Sequence, residues 1–463
     1  MTGALRLGWV VVALVHVVVA EPFVFDNIPA PQPFTLQTEY LFFVYAASDA
    51  LQAGRGDAEV VSKVTLVPDP DAEAPASAAK LAEYRSVQIA IFPTQDFGTA
   101  IDPTLLCRHR QKDTPELNLM PAASNASVVV QTISGGRAYE DAQHLNCTAA
   151  YVLAVANCGG LVGYKLSGTI VVKNPHGYLQ AVDLNKLALY RFFFLLYTAL
   201  SFACLVSAFH WWHRLLHVQV KILYVSFLGV LECGLMWLFY SALNMGDNSS
   251  QALFLAGSAM SLCKICCMFR AALHASELFL RPGDEADESA EFKINFAFVA
   301  YSVADLNFRS VARHRVGLCL DRLTVFINAI PMISLSAILF RWVIVALADQ
   351  KLHVKLKGQD NEDAQLLHKS QGLVSATALG AAGAVLAQLL DPSLGPNSDS
   401  WGMHCIFSDG FAQGVFAAAL CGAMQIWRPS EGTQGLVHEC RAASEMECQP
   451  IGAADECSDD IDS

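Results

Sequence analysis

The chain has 463 residues, of which 54% are hydrophobic and only 16% charged. Soluble domains carry roughly 25% charged residues, so a chain this poor in charge, with a mean hydropathy of +0.37, has to keep long segments out of water. Its net charge of −13 argues against a nucleic-acid partner and leaves membrane lipids as the first expected one.

The N-terminus reads as a secretory signal peptide over residues 1–20. Arg6 supplies the positive start, Trp9–Val19 the short apolar stretch, and Val18-Val19-Ala20 a small-residue cleavage site. Export places the next segment, residues 21–185, in an oxidising lumen. Short apolar runs recur there at Tyr40–Tyr45, Val60–Val67, Val87–Phe92, Val128–Thr132, Tyr151–Ala156 and Gly168–Val172. Turn-rich stretches such as Pro68-Asp69-Pro70-Asp71 separate them, which predicts an antiparallel β-sandwich. Asn125 and Asn146 head glycosylation sequons in this segment. Its three cysteines predict one disulfide, Cys107 with Cys147 or with Cys158.

Beyond residue 186 the apolar runs lengthen. Leu187–Phe209, Ile222–Leu243, Ala252–Leu280, Val325–Ala348, Gly372–Leu390 and Cys405–Trp427 are each long enough to cross about 30 Å of hydrocarbon. Phe292–Phe308 is shorter and carries Asp305. Counting it gives a seven-helix transmembrane bundle over residues 186–428, with a luminal N-terminus and a cytosolic C-terminus. In that topology Asn248-Ser-Ser lies in a luminal link and is a third expected glycosylation site. Residues 429–463 form an acidic tail: between His438 and Ser463 there are eight acidic residues and one basic one. It is too poor in large apolar side chains to offset its ordering entropy, so a disordered cytosolic tail is expected.

Several residues resemble those of a known family. Tyr151–Cys158, the exit Asn174-Pro-His-Gly-Tyr-Leu179, Phe227-Leu-Gly-Val-Leu-Glu232 and above all Trp427-Arg428-Pro429-Ser430 with Gln434 look like the Golgi-dynamics-domain seven-transmembrane proteins, also called lung seven-transmembrane receptors. The third long helix departs from the family pattern, keeping only Arg281-Pro282 of its usual ending. The resemblance implies a Golgi-dynamics-type luminal sandwich on a bundle similar to that of Wntless and G-protein-coupled receptors. It also implies residence in the Golgi membrane and a part in vesicular trafficking or sorting. A lipid or lipidated client on the luminal side and a sorting adaptor on the acidic tail would be the partners. An orphan receptor and a cation channel or transporter are the alternatives.

The chain shows no Gly-rich phosphate loop, His-Glu-x-x-His or Gly-x-Ser-x-Gly element, so neither enzyme activity nor a cofactor is expected. Cys263-x-x-Cys266-Cys267 has metal-like spacing, but it lies in an apolar helix without further ligands and is read as packing, so no metal site is expected. Glu232 and Asp409 carry more weight. A carboxylate at membrane depth has to be paired, wetted or protonated, so it faces the bundle interior. Lys264, Arg270 and Arg341 are the candidate basic partners, and the pairing could serve as a structural clamp or as part of a functional cavity.

Overall fold

The computed structural model describes residues 23–29, 36–44, 58–68, 86–93, 107–109, 115–117, 129–134, 139–145, 149–157, 163–179, 181–247, 251–277, 288–317, 322–356, 361–391 and 403–429. The signal peptide, the acidic tail with Ser430, the sequons at Asn125, Asn146 and Asn248, and Cys147 and Cys158 lie outside the described residues.

Alternation of apolar and polar side chains builds the first region. Among the described residues ten strands run in order: β1 (Phe23–Pro29), β2 (Leu36–Val44), β3 (Ala58–Pro68), β4 (Ser86–Pro93), β5 (Cys107–His109), β6 (Pro115–Leu117), β7 (Val129–Ser134), β8 (Tyr139–Leu145), β9 (Ala149–Ala156) and β10 (Tyr164–Lys173). They pair antiparallel as β1-β10-β3-β8 and β2-β9-β4-β7, with β5 and β6 as a separate ribbon. Cys107 opens β5, opposite Leu117. Along β3 every second side chain from Ala58 to Leu66 is buried, as the two-residue period of a strand requires. Val60, Val64 and Leu66 of β3 meet Ile89 of β4 and Leu153 of β9 in one apolar core shared by both four-stranded sheets. The strands that the apolar runs missed include β1 and β8, the two edges of one sheet. An edge strand buries less, and β8 (YEDAQHL) is accordingly polar.

The second region is helical. Its helices are α1 (Ala181–His210), α2 (His217–Asn244), α3 (Gln251–Glu277), α4 (Glu288–Gly317), α5 (Arg322–Leu356), α6 (Asn361–Leu390) and α7 (Phe411–Ile426), the last preceded by a π-helical turn at Ile406–Gly410. Among the described residues six helical segments are long and apolar enough to cross a membrane; α4 is not one of them. α1 begins ahead of the expected boundary at 186, because its first two turns carry Asp183 and Lys186 and are too polar for the apolar run to include.

α2 is the spine of the bundle. Its buried residues include Val218, Ile222, Val225, Gly229, Glu232, Met236 and Phe239, three and four apart on one face. α1, α3 and α7 all pack on it. Gly229 lets α1 come close: a Cβ there would lie 2.6 Å from the Tyr197 ring. Both ends of α2 are tied by side chains. At its end, Asn244 takes the N–H of Tyr178 on its carbonyl (3.0 Å), takes the N–H of Leu179 on Oδ1 (3.3 Å) and donates from Nδ2 to the carbonyl of His176 (2.8 Å). Gly177 holds φ +134° there with the Asn244 carbonyl only 2.3 Å from where a Cβ would stand, so the position admits glycine alone. At its start, Gln219 accepts the N–H of Leu216 (3.0 Å) and donates to the carbonyl of Trp427 (3.0 Å), which joins α2 to the end of α7.

Candidate functional site

Four helices set polar side chains into mainly apolar inward stripes, and one from each meets at a common point. α1 buries Tyr190, Phe193 and Tyr197, and α3 buries Phe254, Ser261 and Lys264. α2 contributes Glu232 between Gly229 and Met236, and α7 contributes Gln413 ahead of Ala417 and Leu420. Helical periodicity brings these together at mid-bundle.

Lys264 Nζ forms an ion pair with Glu232 Oε2, each side chain being 2% exposed. The same ammonium donates to Gln413 Oε1 at 3.1 Å, and Gln413 Nε2 donates to Glu232 Oε1 at 2.7 Å. Tyr197 donates its hydroxyl to Gln413 Oε1 at 3.4 Å. The rings of Phe416 and Tyr197 face the ammonium, with centroids 4.3 Å and 5.1 Å from Nζ. Two desolvated charges are costly, and their attraction offsets that cost only when the remaining lone pairs and protons also find partners. Gln413 supplies both kinds, and the aromatic faces take up the rest of the cation. The result is a closed clamp across α1, α2, α3 and α7.

Asp409 lies elsewhere. It sits on the π-helical turn before α7, where Lys186 of α1 reaches it at 3.3 Å and also pairs with Asp183 at 2.9 Å. Lys186 lies over the Tyr240 ring (5.6 Å), and Tyr240 stacks on Tyr190 (5.6 Å). None of the three candidate cations named from the sequence is its partner: Lys264 serves Glu232, Arg270 donates to Asn295 of α4, and Arg341 is exposed on α5. Lys186 was missed because it borders the first apolar run and reads as its end.

Two further clusters escaped sequence reasoning. Asp305 pairs with Arg309 one turn on (2.7 Å), and Arg309 donates to Ser261 of α3 (3.0 Å). The four-residue spacing of opposite charges in a thin apolar run was the available signal. Asp391, after α6, binds His404, ahead of α7, at 2.5 Å, and both are buried. Their residue types carry no motif, and only the fold joins them. Of the cysteines considered for metal binding, Cys263 is exposed and Cys266 and Cys267 half-buried on α3. Among the described residues no group of three or more His, Cys, Asp or Glu could hold a metal ion. Trp427 is buried and closes α7 with its N–H on the Ala423 carbonyl (2.9 Å); Arg428 and Pro429 follow it out of the helix.

Transmembrane protein 87A of Xenopus tropicalis is 23% identical over 300 residues, covering 64% of this chain and 53% of that protein. This chain is a multi-pass membrane protein. The match spans about half the length of that relative. No protein-family model matches the chain.

Proposed function

We propose that the chain is a Golgi-dynamics-domain seven-transmembrane protein: a non-enzymatic Golgi membrane protein acting in vesicular trafficking or sorting. In this reading the two four-stranded sheets form a luminal β-sandwich, the N-terminus is luminal, the tail is cytosolic, and α4 makes the seventh crossing. α4 is too polar to qualify alone, yet it runs antiparallel to α3, with Asn295 opposite Arg270 and Arg309 opposite Ser261. Asp305 is buried and pairs with Arg309, which reaches Ser261, so this charge pair is taken up within the bundle. A lipid or lipidated protein would be the client, as the resemblance to this family implies.

The observation that carries trafficking ahead of conduction is the closed clamp at Glu232. Its two carboxylate oxygens are engaged by Lys264 and Gln413, so the buried charge is already neutralised within the bundle. The joint from Asn174 to Leu179 adds a mechanical argument: it leads out of β10 and grips the end of α2, so a load on the sheets reaches the helix that holds the clamp. Following a synchronised secretory cargo in cells lacking the protein tests this reading. Delayed Golgi exit, restored by the full chain and not by one truncated after Gly435, is expected. Unchanged cargo kinetics with the protein residing at the cell surface would overturn it.

A cation pathway is the second reading, favoured by one feature. Polar side chains follow the inward stripes from Asp183, Lys186 and Asp409 past Tyr190 to Glu232 and Lys264. Flux through purified protein in liposomes that falls in Glu232→Gln would favour this reading, and flux equal to that of empty liposomes would favour trafficking.

A further inference from the structure

The interior accounts for Glu232 and Lys264, but not for Arg341. This residue lies near the middle of the apolar stretch Phe326–Leu352 of α5 and is exposed. α5 turns Ala329, Met332, Leu339, Val343 and Leu347 inward. At about 100° per residue, Arg341 falls nearly opposite that stripe, on an outward face with Ser334, Ala337 and Val345, which are also exposed. α3, α4 and α6 are the helices packed on α5, and they meet its inward side. Among the described residues no hydrogen bond or ion pair reaches Arg341.

Arginine is a permanent cation, and a cation facing lipid at mid-depth is costly unless it is paired or reaches the headgroups. The nearer end of the stretch, Leu352, is about 16 Å along the helix axis, farther than an arginine side chain extends. Helical side chains also lean toward the N-terminus, which here is away from that nearer end. Ala337 and Ser334, one and two turns before Arg341, are small enough for another helix to approach closely.

We propose that the outward face of α5 around Arg341 is a docking surface for a transmembrane helix of another protein, one carrying a carboxylate at matching depth. A second copy of this chain fits poorly. A two-fold contact through α5 would set the two Arg341 side chains against each other. Glu232 and Asp305 are buried in their own ion pairs, and Asp409 is held by Lys186. Asp349 is exposed on α5 but lies about 12 Å further along the axis. The surface therefore supplies the positive half of a pair whose negative half comes from outside. This inference rests on α5 crossing the membrane and is independent of the trafficking reading.

The test uses the full chain in phosphatidylcholine vesicles with labelled leucine–alanine probe helices of spanning length, read by energy transfer. A probe with one central glutamate is expected to associate at least about five-fold more tightly than the same probe with leucine there. Arg341→Leu should abolish the difference, Arg341→Lys should retain it, and Arg341→Glu should transfer the preference to a probe with a central lysine. Should Arg341→Leu fail to insert, Arg341→Gln is read in its place. Equal binding of the glutamate and leucine probes, or a preference that survives loss of the charge, would overturn the proposal. Complete displacement of the glutamate probe by phosphatidylserine at matched concentration would also overturn it, by making a lipid headgroup the occupant.

Discussion

The sheets and the helical bundle are built inside out with respect to each other. In the sheets the shared core is apolar, and among the described residues no charged side chain is buried there; Lys63 and His144 point outward. In the bundle Glu232, Lys264, Asp305 and Lys186 are buried, while Phe202 (67% exposed), Leu379 (77%) and Phe209 (84%) face outward. One rule gives both patterns. Apolar surface leaves water, and charge leaves hydrocarbon, so a change of solvent reverses which residues are inside. A buried ion pair is a poor source of stability in a soluble core, but between helices in lipid the alternative for each charge is worse.

The contrast can be broken by substitution. The largest effect is expected from Lys264→Met, which leaves Glu232 buried without its counter-ion. Thermal unfolding in detergent should show a loss of about 3–5 kcal/mol. Next comes Leu379→Asp on the outward face of α6. It removes no internal contact, yet a mid-helix aspartate should cost about 3 kcal/mol of insertion free energy, read in a translocon insertion assay with a glycosylation tag. Gly229→Ala, which drives a methyl into the Tyr197 ring, should cost about 1–3 kcal/mol and loosen the α1–α2 contact. The smallest effect is expected where the surroundings are water. His144→Leu on the edge strand β8 should change stability by no more than about 0.5 kcal/mol. An aspartate tolerated at 379 would contradict the lipid-facing assignment.

Much of this was legible in the sequence, for physical reasons that also explain the rest. Each long apolar run became a helix, because a run of that length leaves the backbone few other ways to satisfy its hydrogen bonds in lipid. All six short runs lie on strands over their described residues. Glu232 stood out because a carboxylate in such a run needs an explanation, and Lys264 was one of three cations available to it. Gln413 and Tyr197 gave no such signal: an amide and a phenol in a helix are ordinary core residues until a charge lies beside them. Lys186 was hidden at a run boundary, and the hydropathy of α4 is lowered by charged residues such as Asp305 and Arg309, whose pairing in the bundle a hydropathy sum does not see. Asn174-Pro-His-Gly-Tyr-Leu179 was visible as a break between two styles of sequence, but its grip on Asn244, 65 or more residues away, is tertiary and has no local pattern.

The central claim is that Glu232 and Lys264 form one closed unit between the helices. A double-mutant cycle tests it most directly, comparing Glu232→Gln, Lys264→Met and the double variant by unfolding in the same detergent. The clamp predicts that each single change costs several times more than half of the double change, with a coupling of at least about 2 kcal/mol. Additive losses, with coupling below about 0.5 kcal/mol, would mean that the two charges do not meet in the folded protein and would contradict the account.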